Sequence, residues 1–189
     1  MPVRSDQSQL ADGLRPLFPP DAVRIEWSAL SGEAGVYSPR VDIAVGPFAI
    51  GSTRCGSEYD ALCLKHGSTL EKLHESFTEN VDALDSTDRI PALEAICGRN
   101  LNARCFLAIE IEGSGSRKHI MGGAVNAAAL GRVGLSVACS EENLQVLLRM
   151  RRYLRFLSDR EKNSFDTSNL MILTTSQLAA ALGIELNGV

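Results

Sequence analysis

Two acids stand two residues apart in the run Arg104 to Glu112, where Cys105, Leu107, Ile109 and Ile111 alternate with Phe106, Ala108, Glu110 and Glu112. On a strand, residues i and i+2 point the same way, so Glu110 and Glu112 project side by side from one surface while the other face is aliphatic. Asp42 lies on a second apolar run, flanked by Val41 and Ile43, and shares its face with Ala44 and Gly46, which leave room above the backbone. Three carboxylates brought together on adjacent strands repel one another unless protons or a divalent cation neutralise them, and a hard cation such as Mg2+ or Mn2+ prefers oxygen ligands. The expectation is a Mg2+ (or Mn2+) site built from Asp42, Glu110 and Glu112. The plainer alternative is a solvated sheet face with Asp42 as a polar residue near a turn. Glu26 and Glu33 precede Asp42, and either can add a fourth acid, a solvated surface role being the simpler reading of each.

Other groups carry weaker signals. His119 and Asn126 lie seven residues apart on one helix face, with Gly122 and Gly123 between them permitting close backbone approach. Ser114, Ser116 and the backbone N–H groups beside them are placed to meet a phosphate, although a plain helix cap explains them as well. Arg149, Arg151, Arg152 and Arg155 form the clearest basic patch; Arg149, Arg152 and Arg155 are the candidate nucleic-acid contacts. The same helix opens with Glu141 and Glu142, so its charges also simply complement the macrodipole. Cys55, Cys63 and His66 lack the tight ligand spacing of structural zinc, and no P-loop, Rossmann glycine pattern or nucleophile elbow occurs.

The elements that must position these groups follow from periodicity. Leu10, Leu14 and Leu17 recur at helical spacing until Pro19-Pro20. Val23, Ile25 and Trp27 alternate with Arg24, Glu26 and Ser28 in a half-buried strand over 22–30. A turn over 31–35 leads to a strand over 41–50, in which Pro47 predicts a bulge, an edge position or an early end. Residues 51–102 read as a helical insertion, with Ser68 and Glu71 as a capping box. After the strand 104–112, Ser116 caps a helix that Gly131 closes. A strand over 133–138 precedes a helix over 141–162 that buries Val146, Leu147, Met150, Tyr153, Leu154 and Leu157; a strand over 170–174 and a helix over 176–182 complete the order. The whole predicts one α/β domain over 1–189 with a mixed β-sheet flanked by helices.

Pro39-Arg40-Val41-Asp42, then Ile109-Glu110-Ile111-Glu112, then a helix opening Ser116-Arg117-Lys118-His119 and a further strand, together resemble the PD-(D/E)XK nuclease superfamily. The resemblance covers 5–138 apart from the insertion, and its motifs are short. It implies a restriction-endonuclease-like sheet, with Asp42 and Glu110 as metal ligands. The position at which the superfamily carries Lys holds Glu112, a departure compatible with the E-X-E variants of some restriction enzymes and equally with decay. Lys118, one turn into the next helix, is the candidate to return the missing positive charge, giving Asp42, Glu110, Glu112 and Lys118 as the implied catalytic set. The activity implied is metal-dependent hydrolysis of DNA phosphodiester bonds, with homodimer formation expected on resemblance alone.

Composition bounds these readings. With 189 residues, 44% of them apolar, the chain can fill a core of its own. A net charge of -4 argues against a broad nucleic-acid-binding surface, so any basic contact must be local. Five cysteines in no dense framework, no long apolar run and no apolar leader lead to the expectation of reduced thiols, a cytoplasmic location and no membrane partner. Two classes therefore compete: a Mg2+-dependent endonuclease, and a catalytically inactive nuclease-fold module for binding or assembly. A small-molecule or ion-binding domain with coincidental acid placement is a third.

Overall fold

The computed structural model describes residues 3–30, 38–113, 116–162 and 166–186, the side chains of residues 3 and 4 excepted. The turn expected at 31–35, Glu33 within it, and Ser114 lie outside the described residues.

Helix α1 (Val3–Leu14) continues into a 3-10 turn at Arg15–Leu17 and stops before Pro19-Pro20, with Leu10 and Leu14 wholly buried. Strands β1 (Val23–Ser28) and β2 (Arg40–Val45) pair antiparallel. Val23 and Trp27 are buried as the alternation predicts, but Ile25 is not. As the sheet's edge, β1 has a neighbour on one side only. The predicted strand 41–50 ends early, at Gly46-Pro47, because proline has no N–H to give the ladder.

The insertion is helical: α2 (Gly56–Lys65), α3 (Gly67–Asp85) and α4 (Leu93–Arg99). The expected Ser68 capping box does not form. His66 alone separates α2 from α3, its N–H bonding Leu62 O and its carbonyl accepting from Leu70 N–H, so α3 is already under way at Ser68.

Strands β3 (Cys105–Glu112), β4 (Gly131–Ala138) and β5 (Leu170–Thr174) join helices α5 (Arg117–Leu130), α6 (Glu141–Asp159) and α7 (Thr175–Leu182). The result is a five-stranded mixed sheet in the order β1-β2-β3-β4-β5, antiparallel across the first two pairs and parallel across the last two. Parallel neighbours need crossovers, and α5 and α6 supply them; two right-handed crossovers taken in succession set both helices on one face. Covered on both sides, β4 is buried along its whole length. Small residues let α5 sit close: a Cβ on Gly134 would come within 2.8 Å of the Ala127 carbonyl carbon.

Three helix details differ from expectation. Ser116 occupies the N-cap position of α5 but makes no capping hydrogen bond, whereas Ser140 caps α6 and Thr174 with Gln177 forms a full capping box on α7. Gly131 is extended rather than left-handed, because the chain passes directly from α5 into β4. In α6 the buried stripe includes Leu144 and Leu148 and leaves Tyr153 exposed. No described helix is long and apolar enough to cross a membrane.

Candidate acidic site

Strand register brings the acids together. Ile43 pairs with Ile109, so one step further Asp42 stands opposite Glu110. The pairs Ile25 with Ile43 and Trp27 with Val41 bracket Glu26 and set it opposite Asp42, and Glu110 pairs with Ser136. Glu26, Asp42, Glu110 and Ser136 thus form a row across four strands, with Glu112 two residues further along β3. All three expected acids, together with Glu26, Lys118, His119 and Asn126, line one cleft of about 1050 Å3 between the sheet and the start of α5.

The cleft is acidic and poorly compensated. Asp42 accepts a hydrogen bond from Ile111 N–H at 2.7 Å through Oδ2, and burial nevertheless lifts its carboxyl above the usual range. Burial, then the charges of Asp42 and Glu112, push Glu110 up to about 9. Glu112, only 6% exposed, is pushed to about 7 by burial and then by Asp42. A side-chain hydrogen bond also links Glu110 to Asp42. At neutral pH Glu110 therefore keeps its proton, and that proton relieves the repulsion between the pair. Gly123 makes the crowding possible, since a Cβ there would stand 2.5 Å from Glu112 Oε1.

Glu26 is held apart from this relief. Its Oε2 pairs with Arg40 Nε at 2.9 Å and its Oε1 accepts from Gln7 Nε2 at 3.1 Å. The same Gln7 amide donates to the Asp42 carbonyl at 2.9 Å. Glu26 also has a left-handed backbone, φ 52, which a non-glycine residue adopts only under strain, and such strain concentrates at functional sites. Lys118 is exposed at the cleft and pairs with no described acid, as is His119, while Asn126 reaches the Arg40 carbonyl.

Sequence reasoning assigned no role to Gln7, Arg40 or Ser136. Ser136 is wholly buried beside Glu110 and its Oγ has no hydrogen-bond partner among the described residues. Signals existed: Gln7 falls on the Leu10 and Leu14 stripe of α1, and Ser136 is a polar residue inside an apolar strand.

The arginines lie elsewhere. Asn143 in the first turn of α6 donates to the Glu112 carbonyl at 2.8 Å, so the helix starts at the acidic end and runs away from it. Arg151 to Arg155 follow 8 to 12 residues later, about 12–18 Å along the axis. Arg151 and Arg155 both pair with Asp88, and Arg152 pairs with Asp85. Arg149 is exposed and pairs with no described acid.

Among the described residues no three His, Cys, Asp or Glu side chains stand in position to hold a metal ion together. Asp42 and Glu110, opposite each other on β2 and β3, are the acids joined by a side-chain hydrogen bond. No protein-family model, curated protein or solved structure matches the chain.

Proposed function

We propose that this chain is a divalent-cation-dependent nuclease of the restriction-endonuclease-like type, hydrolysing DNA phosphodiester bonds at the Asp42–Glu110 cleft. One observation carries the reading: three carboxylates, Glu112 buried and Asp42 and Glu110 half-buried, share a cleft in which none of them forms an ion pair with a described Lys or Arg, and their protonation is shifted upward although Arg40 beside Asp42 pulls the other way. A cluster of that kind is costly unless a cation takes the place of the protons. A mixed five-stranded sheet flanked by helices is compatible with the restriction-endonuclease-like sheet that the motif resemblance implies.

Mg2+ is commonly held by one or two carboxylates, with water and substrate phosphates completing its shell, which suits a pair better than a closed three-acid cage. Asp42 and Glu110 would hold the ion, Asp42 oriented by the Ile111 N–H. A bound cation would acidify water and stabilise charge on the phosphate. Glu112, with a carboxyl near neutrality at the position of the missing Lys, suits acceptance of a proton from the attacking water. Lys118 at the cleft mouth would meet a phosphate oxygen.

The exposure of Lys118 and the Glu at position 112 also favour a second reading, a module that binds DNA without cutting it. The deciding experiment incubates the protein with single- and double-stranded DNA plus Mg2+ or Mn2+, beside Asp42→Ala and Glu110→Ala. The nuclease reading expects cation-dependent cleavage that both variants abolish while thermal stability is kept. DNA binding without cleavage at any cation concentration selects the second reading, and neither binding nor cleavage discards both.

A further inference from the structure

A different cluster lies in the helical insertion. Arg132, at the start of β4 and 4% exposed, ties α2 to the end of α4: its Nη2 pairs with Asp60, and its Nη1 donates to the Asn100 carbonyl at 3.2 Å. Cys63 is one turn beyond Asp60 on α2, and Cys97 one turn before Asn100 on α4. The bridge brings the two thiols beside each other, both on half-buried residues. The Arg132 Nε–H is buried with no hydrogen-bond partner among the described residues. A guanidinium with an orphaned donor next to a thiol is a ready partner for a thiolate.

We propose that Cys63 and Cys97 form a peroxide-reactive thiol pair, with Cys63 as the attacking thiolate and Cys97 as the resolving thiol. The electrostatics agree in direction. The hydrogen bond from Cys97, then the charge of Arg132, hold the Cys63 thiol below its ordinary range against burial and Asp60, and Cys97 is pushed up by the same bond and by burial. Elsewhere burial and then Asp6 push Cys139 up to about 11, and burial raises the enclosed Cys105.

The chemistry balances with hydrogen peroxide as oxidant. The Cys63 sulfur attacks one peroxide oxygen, the O–O bond breaks, and hydroxide leaves to give a sulfenic acid. The Cys97 thiol gives its proton to the departing hydroxide of that sulfenic acid, its sulfur displaces it, and a disulfide and water result. Sulfur is oxidised and peroxide is reduced to water.

The test treats the whole chain with substoichiometric hydrogen peroxide and maps the products by peptide mass spectrometry. The expected product is a Cys63–Cys97 disulfide. In Cys97→Ser a sulfenic acid trapped by dimedone accumulates on Cys63, and in Cys63→Ser Cys97 stays reduced. Asp60→Asn, a change at a mostly exposed side chain, frees Arg132 for the thiolate and raises the initial rate severalfold. Arg132→Gln lowers it by about tenfold; circular dichroism confirms that each variant is folded. Oxidation of another cysteine first, or Cys97 oxidation at an unchanged rate in Cys63→Ser, overturns the assignment. So does a slower rate in folded Asp60→Asn.

Discussion

The acids at the end of β3 and the arginines on α6 are both dense clusters of one charge, and they differ in what the fold sets against them. Asp88, with its side chain 9% exposed, receives both Arg151 and Arg155, and Asp85 receives Arg152. Arg151 also stacks over Phe77, its guanidinium 5.2 Å from the ring centre, so the cluster fastens α6 to the insertion helix α3. Among the described residues Asp42, Glu110 and Glu112 form no ion pair; Arg40 lowers the Asp42 carboxyl only in part, and the Ile111 N–H, burial and protons do the rest. Paired charges of this kind serve the architecture. Unpaired ones remain available to something that is not part of the chain.

The sharpest way to break this comparison is to remove one acid from each cluster. Asp88→Asn strands two arginines, one of them largely buried, and is expected to destabilise by about 3–5 kcal/mol in urea unfolding. Glu110→Gln removes a carboxyl that the fold must keep protonated against its ordinary value, and is expected to leave stability equal or higher at pH 8. Equal losses at both positions would end the distinction.

The next largest effect is on pH dependence. Glu110, near 9 in the fold against an ordinary 4.5, and Glu112, near 7, keep protons that the unfolded chain has released. Their contribution therefore falls as pH rises from about 4.5 through 7 to 9, since the native state binds more protons there. Thermal melts across that window should show the decline, Glu110→Gln should flatten it, and Mg2+ should flatten it too if the proposed site binds the ion. A slope identical in the variant would show that Glu110 does not hold its proton.

A smaller change separates the site from the scaffold. In Gly123→Ala the new methyl meets the movable end of Glu112, and alanine favours the helix, so stability should change by less than about 1 kcal/mol. The rate of Mn2+-dependent DNA cleavage, measured in single turnover, should fall nonetheless as Glu112 is pushed aside. An unchanged rate would remove Glu112 from the proposed site. Smallest of all is Arg149→Ala on the exposed face of α6. Stability should stay within about 0.5 kcal/mol, and the salt slope of any DNA binding should drop by about 1 if that arginine meets a phosphate.

Much of this was legible in the residues. The alternation of β3 placed Glu110 and Glu112 on one face, and Pro19-Pro20 and Pro47 ended their elements where the missing N–H requires. The arginine patch was legible as a patch but not as a set of ion pairs, because Asp88 lies 63 residues from Arg151. Local grammar also misled at Ser68 and Ser116, where a cap residue was present but the helix start or the side-chain geometry did not use it.

The sequence by itself determined the order of helices and strands, the shared face of Glu110 and Glu112 and the close approach that Gly123 permits, all consequences of short-range periodicity and side-chain size. Only the tertiary structure decided which strand lies beside which, and hence that Glu26, Asp42, Glu110 and Ser136 form one row while the arginines close on Asp85 and Asp88. Register and ion pairing join residues distant along the chain, and those distances are fixed only when the sheet and its covering helices pack together.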